Sequence, residues 1–229
     1  MIQSARRTAP MLIQNRSDTT ADTRRLHIAF AVALSFALLL WMLKLTEYLG
    51  GFDFSRFGIY PRRADGLAGI LCAPFIHSSV SHLFANTAPI IVIGTMLLYG
   101  YPRAAKVLLP VVYLGGGVGV WLFAREAYHI GASGLAFGML FFVSTIGVIR
   151  WERRTIALSL VVFFLYGGMI WGVIPGAHDV SFESHLSGAL IGIVLAFLLR
   201  NRDPEPPGKQ YSWEHDETET DDYDWPDRL

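Results

Sequence analysis

The sequence predicts an all-α polytopic membrane protein, a bundle of six transmembrane helices with both termini in the cytoplasm. The composition is 52% hydrophobic and 17% charged, with a mean hydropathy of +0.39, which is more apolar than an ordinary soluble domain. The apolar residues gather into six runs of roughly 17 to 23 residues, about the length that crosses a hydrocarbon core as a helix. Basic residues are concentrated on alternate connections between the runs.

The six predicted spans follow one another at residues 27–47, 82–100, 104–124, 133–149, 155–174 and 185–200. Most of the flanking basic residues fall on one side of the membrane, namely Arg24, Arg25, Arg103, Lys106, Arg150, Arg153, Arg154, Arg200 and Arg202. Because positively charged connections stay in the cytoplasm, this side is predicted to be cytoplasmic. A few arginines in the outer connections oppose the trend without outweighing it.

These spans divide the chain into three parts. Residues 1–26 form a basic cytoplasmic segment without a long apolar core, so a cleaved signal peptide is not expected. Residues 27–200 form the six-helix domain. Residues 201–229 form an acidic tail, in which residues 203–229 hold ten acidic residues against Lys209 and Arg228. This composition predicts a disordered cytoplasmic segment, and its aromatic residues leave open the docking of a cytoplasmic partner.

The first outer connection, residues 50–81, is too mixed in composition to be a span. Its apolar stretch Ile70 to Ile76 is costly to leave in water, so we expect the loop to dip into the membrane and pack against protein, which shields its irregular backbone from lipid. The chain has a single cysteine, Cys72. This excludes an intrachain disulfide and any cysteine cluster for zinc or iron–sulfur.

Five polar side chains lie where the predicted topology places the outer ends of spans: His77, His82, Asn86, Ser133 and His185. Inserting a polar group into a membrane span costs free energy, up to about 2.5–3.5 kcal/mol for a charge at the centre of the helix. Each such residue therefore needs an explanation. His82 and Asn86 are four residues apart and share one helix face. Two hydrogen-bond donors can therefore aim at one point.

The sequence Gly131-Ala132-Ser133-Gly134 opens the fourth span. A serine flanked by glycines at the start of a helix has an uncrowded Oγ beside the free N–H groups of the first turn. This arrangement suits a nucleophile next to an oxyanion hole. The alternative is a plain loop-to-helix junction in which Ser133 caps the helix.

The sixth span carries His185, Gly188 and Gly192 on one stripe, and the fourth carries Gly134 and Gly138. Small residues four apart let membrane helices approach backbone to backbone. Such an approach brings Ser133 and His185 to a similar depth, where nucleophile and base can share a hydrogen bond. The alternative is that the glycines serve packing alone and that the histidine sits in the headgroup zone.

Three motifs, His77-x4-His82-x3-Asn86, Gly131-x-Ser133-Gly134 and His185-x2-Gly188-x3-Gly192, resemble the rhomboid family of intramembrane serine proteases. They occur on spans two, four and six, and the resemblance covers residues 27–200. It implies a six-helix, rhomboid-like bundle that cleaves transmembrane segments of other membrane proteins with a Ser–His dyad.

The resemblance also assigns roles. Ser133 is the implied nucleophile and His185 the implied base. The oxyanion is stabilised by the Ser133 N–H and by the side chains of His82 and Asn86, with Gly131 shaping the hole. Supporting positions are His77, Phe137, Gly134, Gly188 and Gly192.

The expected partners are transmembrane substrates and the lipid bilayer of a bacterial cytoplasmic membrane, and we expect no cofactor, no metal ion and no nucleic acid. Since hydrolysis needs water, a cavity under the outer loop is also predicted.

The sequence departs from the family pattern in three places. The tryptophan–arginine pair common in the outer loop is replaced by residues 58–63, Gly-Ile-Tyr-Pro-Arg-Arg. Phe137 stands where a tyrosine is often found, so its ring can stack on an imidazole but cannot donate a hydrogen bond. Ser184 stands before the histidine where alanine is frequent.

Four alternatives remain open at this level. A catalytic triad could use Asp179 or Glu183, and a metalloprotease could use His77, His82 and His185 as zinc ligands. A non-proteolytic relative could bind membrane helices without cutting them. A small transporter could use the polar cluster as a solute site.

Overall fold

A computed structural model of the chain describes residues 9–176 and 180–204, with side chains described from Thr20 onward. Its six long helices are α1 (Ala9–Gly50), α2 (Val80–Gly100), α3 (Pro102–Phe123), α4 (Ser133–Arg150), α5 (Arg153–Tyr166) and α6 (Phe182–Leu199). A 3₁₀ segment, Gly167–Val173, continues α5. The only pairing of strand type among the described residues is an isolated bridge between Ile59 and His129. The all-α fold class is confirmed.

Six helical segments are long and apolar enough to cross a membrane: Thr20–Gly50, Val80–Gly100, Pro102–Phe123, Ser133–Arg150, Arg153–Val173 and Phe182–Leu199. The predicted six spans are therefore confirmed. Helix α1 begins well before residue 27, because hydropathy ends at the first polar residues whereas helical hydrogen bonding does not. The cytoplasmic placement of the termini stays a prediction, and the predicted disorder of the tail falls mostly on residues 205–229, outside the described residues.

Helices α4 and α6 pack backbone to backbone along their glycines. A Cβ atom on Gly188 would lie 2.0 Å from the carbonyl oxygen of Gly134, and one on Gly192 would lie 2.3 Å from that of Gly138. No side chain fits at either position. Both helices also begin at the same end of the bundle, with Ser133 and Phe182 as their first residues.

The loop between α1 and α2 packs against α3. Its Ile59 and Ala73 are buried with Val120 and Ala124 at the end of α3, and Ile70 lies against Gly117. The unusual segment 58–63 is held by backbone bonds: the N–H of Arg62, a residue in the left-handed region with φ 59°, donates to the Trp121 carbonyl at 2.9 Å. The expected packing of this loop against protein is what the structure contains.

At the opposite end of the bundle, Asp203 links the residues after α6 to two other helices. Its carboxylate accepts hydrogen bonds from the N–H groups of Arg103 (2.9 Å) and Ala104 (2.8 Å) in the first turn of α3. A carboxylate is favourable there because the helix dipole places positive charge at the N-terminus. The guanidinium of Arg150, the last residue of α4, donates to the Asp203 carbonyl at 2.6 Å. The residues after α6 are thereby tied to two other helices.

The glycine contact predicts a sharp stability difference between two glycine-to-alanine substitutions. Gly188→Ala should lower the thermal midpoint of the protein in detergent micelles, since overpacking a close contact typically costs about 1–3 kcal/mol. Gly116→Ala on α3 is the matched control, because a Cβ there has no neighbour within 4 Å. That substitution should leave the midpoint unchanged or raise it, since alanine is the better helix former by about 1 kcal/mol. Equal midpoints for the two variants would contradict the packing described here.

Candidate active site

The turn before α4 presents Ser133 at the start of the helix. Gly131 has φ +112°, which L side chains rarely adopt, and a Cβ there would lie 2.9 Å from Cε1 and 3.0 Å from Nε2 of His82. Glycine is therefore required both for the backbone conformation and for the ring beside it. Since Ser133 is the first residue of α4, its N–H has no acceptor within the helix. It remains available to an external acceptor.

Ser133 and His185 share a hydrogen bond across the α4–α6 contact. Ser133 Oγ lies 2.8 Å from Nε2 of His185, and Nδ1 of the same ring lies 2.9 Å from the carbonyl oxygen of Gly172. A carbonyl only accepts, so Nδ1 carries the proton of the neutral imidazole. Nε2 is then the acceptor, and the serine hydroxyl donates to it. The Gly172 carbonyl thus selects the tautomer that a base for Ser133 needs.

Phe137 fixes the plane of this imidazole. Its ring stacks on His185 with centroids 4.0 Å apart and an interplanar angle of 6°. A Cβ on Gly172 would lie 2.7 Å from the Phe137 ring and 3.2 Å from Nδ1 of His185, so glycine leaves room for both rings. The His185 imidazole is thus held by the Phe137 ring, the Gly172 carbonyl and the Ser133 hydroxyl.

His82 and Asn86 lie one turn apart on α2, and the His82 ring faces the turn before Ser133. The His82 ring abuts Gly131, and its Nδ1 lies 3.1 Å from the hydroxyl of Ser78. Asn86 is buried, and its Nδ2 donates to the His82 carbonyl at 2.9 Å. This bond uses one of the two N–H groups of the amide. The second remains for another acceptor.

His77 supports the turn from beneath. It is 2% exposed, its Nε2 accepts a long hydrogen bond of 3.4 Å from the Ala132 N–H, and its ring meets that of His82 edge to face. Its carbonyl accepts from Lys44 Nζ at 2.8 Å, which ties it to α1. Burial, reinforced by His82, lowers the pKa of His77 to about 4 against the opposing effect of the Phe75 carbonyl. The ring is therefore neutral at pH 7.

The alternatives to a dyad find no support in the described residues. The Glu183 carboxylate forms an ion pair with Arg125 at 3.0 Å, while the Nδ1 of His185 that a triad would use is bonded to Gly172. Asp179 lies outside the described residues. Within 9–176 and 180–204 no three His, Cys, Asp or Glu side chains are grouped to hold a metal ion.

Two parts of the site were missed by the sequence interpretation. Gly172 acts through its carbonyl, and the only signal for it is a cluster of glycines, 167, 168 and 172, in an apolar run. His129 is 3% exposed and joins the loop before Ser133 to Ser181 at the start of α6, with Nδ1 2.7 Å from the Ser181 hydroxyl. A histidine close before Gly-Ala-Ser-Gly was a usable signal.

The chain matches a family model described as the Rhomboid domain over residues 64–202. It is 37% identical over 196 residues to an uncharacterized protein of Mycobacterium tuberculosis, an alignment that covers 80% of this chain and 81% of the relative. An uncharacterized protein of Mycobacterium leprae is 35% identical over 79% of this chain and 76% of its own length. RHOMBOID-like protein 2 of Arabidopsis thaliana is 29% identical over 66% of this chain and 46% of the relative.

His77 predicts a pH-dependent stability. Its pKa is about 4 in the folded protein against 6.5 ordinarily, so the unfolded chain binds the proton first as the pH falls. The stabilisation is complete above pH 6.5 and is lost between pH 6.5 and 4, by about 3 kcal/mol for a shift of this size. The check is the thermal midpoint of wild type and of His77→Gln, which does not titrate, from pH 8 to 4.5. The advantage of the wild type should shrink as the pH falls, whereas a constant difference contradicts the assignment.

Proposed function

The chain belongs to the rhomboid family, and from this premise we propose that it is an intramembrane serine endopeptidase that cleaves transmembrane segments of other membrane proteins. The observation that carries the proposal is the 2.8 Å hydrogen bond between Ser133 Oγ and His185 Nε2. A multi-pass integral membrane protein was expected from the sequence and is confirmed by the six spans. The mycobacterial relatives agree with a bacterial cytoplasmic membrane.

In the proposed acylation step, Ser133 Oγ attacks the scissile carbonyl carbon while its proton moves to Nε2 of His185. The Gly172 carbonyl accepts from Nδ1–H throughout, so the imidazolium that forms keeps an oriented partner. When the tetrahedral intermediate collapses, the C–N bond breaks and Nε2–H protonates the leaving amine. The product is an acyl ester on Ser133.

The oxyanion of this intermediate forms next to the start of α4. The Ser133 N–H, the second N–H of Asn86 and the His82 ring are the proposed donors, with Gly131 keeping the hole open. The Ser78 hydroxyl beside Nδ1 of His82 (3.1 Å) supports this role. With that hydroxyl as donor, Nε2 of the neutral ring bears the proton. His77 acts indirectly, by supporting the turn.

Deacylation requires water at the same centre, with His185 as the base for its attack on the ester. A cavity of about 30 Å³ lies under the outer loop, between Gly131, Gly134, Ser184 and Ile70. This is more than the roughly 10–15 Å³ that a cavity needs to hold one water molecule. We propose that it supplies the hydrolytic water. This cavity is far smaller than the segment that is cut, so the substrate does not enter by this route.

Covalent labelling tests the nucleophile directly. A fluorophosphonate probe should label the wild type and fail on Ser133→Ala and His185→Ala, because the probe reacts with a serine activated by a base. Ser144→Ala is the matched control, since Ser144 lies on the same helix and its buried hydroxyl has no hydrogen-bond partner. All variants are first checked for folding by their thermal midpoints. An unlabelled but well-folded wild type would leave a non-proteolytic rhomboid-like protein as the better interpretation.

The oxyanion donors are tested by Asn86→Ala and His82→Ala on a reconstituted transmembrane substrate. Loss of one such donor generally costs about 10²–10³ in rate. Each variant should retain the Ser133–His185 hydrogen bond and react with the probe, although more slowly. Cleavage at the wild-type rate in both variants would remove these two side chains from the mechanism.

A further inference from the structure

His129 lies where three segments of the outer surface meet, two residues before the Gly131 turn. Its N–H donates to the Ile59 carbonyl at 2.8 Å and its carbonyl accepts from the Ile59 N–H at 3.0 Å, which joins it to the loop after α1. Its ring reaches the other way, to Ser181, the N-cap residue of α6. The loop that leads to Ser133 and the helix that carries His185 are thus linked through one buried side chain.

The direction of each hydrogen bond around this ring is determined by its partners. Nε2 lies 2.9 Å from the Arg125 carbonyl, which only accepts, so Nε2 carries the proton. Nδ1 then accepts from the Ser181 hydroxyl at 2.7 Å. The Ser181 oxygen in turn accepts from the Ser184 N–H at 3.3 Å as the helix cap. An oriented chain of bonds runs from the first turn of α6 to the loop before α4.

An ion pair holds the same two segments together. Nη1 of Arg125 lies 3.0 Å from both carboxylate oxygens of Glu183, and Nη2 donates to the Val180 carbonyl at 2.8 Å. These are the two charged groups that act on the His129 ring. Nη2 of Arg62, in the outer loop, lies 3.6 Å from Oε1 of Glu126 at the exposed surface. Burial lowers the pKa of His129, whereas the hydrogen bond to the Arg125 carbonyl and the charge of Glu183 oppose this, and the charge of Arg125 adds a smaller lowering effect. The ring is neutral at pH 7.

We propose that His129 is a positioning residue of the active site, which keeps the first turn of α6, and with it His185, in register with Ser133. The proposal rests on the proposed protease function. It favours a neutral ring, because a proton on Nδ1 turns that atom from an acceptor into a donor and reverses its hydrogen bond with the Ser181 hydroxyl. The Ser181 hydroxyl then loses its acceptor, and a second cation appears beside Arg125.

The first test compares two serines that each donate a hydrogen bond between segments. Ser181→Ala removes the link to His129, whereas Ser159→Ala removes a 2.6 Å bond to the Val143 carbonyl at the opposite end of the bundle. Fluorophosphonate labelling of the full-length protein in detergent should slow about tenfold in Ser181→Ala and stay near wild type in Ser159→Ala, at comparable thermal midpoints. Ser181→Thr keeps the hydroxyl and should restore the rate. Equal rates for Ser181→Ala and Ser159→Ala overturn the proposal.

The second test measures how the labelling rate depends on pH, a dependence that a merely structural role of His129 would not alter. His129→Asn retains an oxygen acceptor near the Nδ1 position and cannot take up a proton. The ratio of its labelling rate to that of wild type should rise as the pH falls from 8 to the lowest pH at which both proteins stay folded, since protonation of His185 affects both proteins alike. A constant ratio overturns the positioning role of His129 while the labelled wild type still supports the protease. Absence of labelling in folded wild type overturns the proposed function itself, so the two failures are distinct.

Discussion

The backbone contact between α4 and α6 is the constraint on which the rest of the site depends. Gly188 and Gly192 lie so close to the carbonyls of Gly134 and Gly138 that a single methyl group would meet a backbone oxygen at 2.0–2.3 Å. A hydrogen bond tolerates only a few tenths of an ångström in length. A larger separation of the two helices would therefore break the contact between Ser133 and His185, even with both side chains intact. The glycines set the distance between Ser133 and His185, although they take no part in the proposed reaction themselves.

Among the described residues, the hydrogen-bond partners of the His185 ring are a serine hydroxyl and a backbone carbonyl, and no carboxylate. The histidine is oriented by the Gly172 carbonyl and by the face of Phe137, both of which are uncharged. Burying a carboxylate beside the ring would carry a large desolvation cost unless a cation accompanied it. The nearest candidate in sequence, Glu183, is matched with such a cation, Arg125, away from His185. A neutral pair oriented by a backbone carbonyl is thus the arrangement that an apolar bundle accommodates at low cost.

The sequence reveals those parts of the fold and site that depend on local pattern. Six spans follow from hydropathy, and the glycine spacing on two of them predicts the close approach that the structure contains. The partners of these residues were less accessible, because they come from distant parts of the chain. Gly172 contributes a backbone carbonyl, and its only mark in the sequence is the glycine itself. His129 meets Ser181 from 52 residues away, and only the folded chain brings them together.

Buried polar groups are concentrated at the end of the bundle that holds the proposed site, whereas the large apolar cluster lies toward the other end. Among the described residues, all the buried histidines and Asn86 lie at the end where α4 and α6 begin, whereas the buried Thr95 and Thr155 lie further toward the other end. The large apolar cluster, including Leu97, Leu108, Phe142 and Ile146, extends toward the other end. Most polar groups at the first end have partners from several segments, although Nδ1 of His77 has none, so a substitution there generally leaves another buried group unpaired. Substitutions in the apolar cluster remove packing alone. Changes at the polar end should therefore affect the reaction first, whereas changes in the apolar cluster should act mainly through folding.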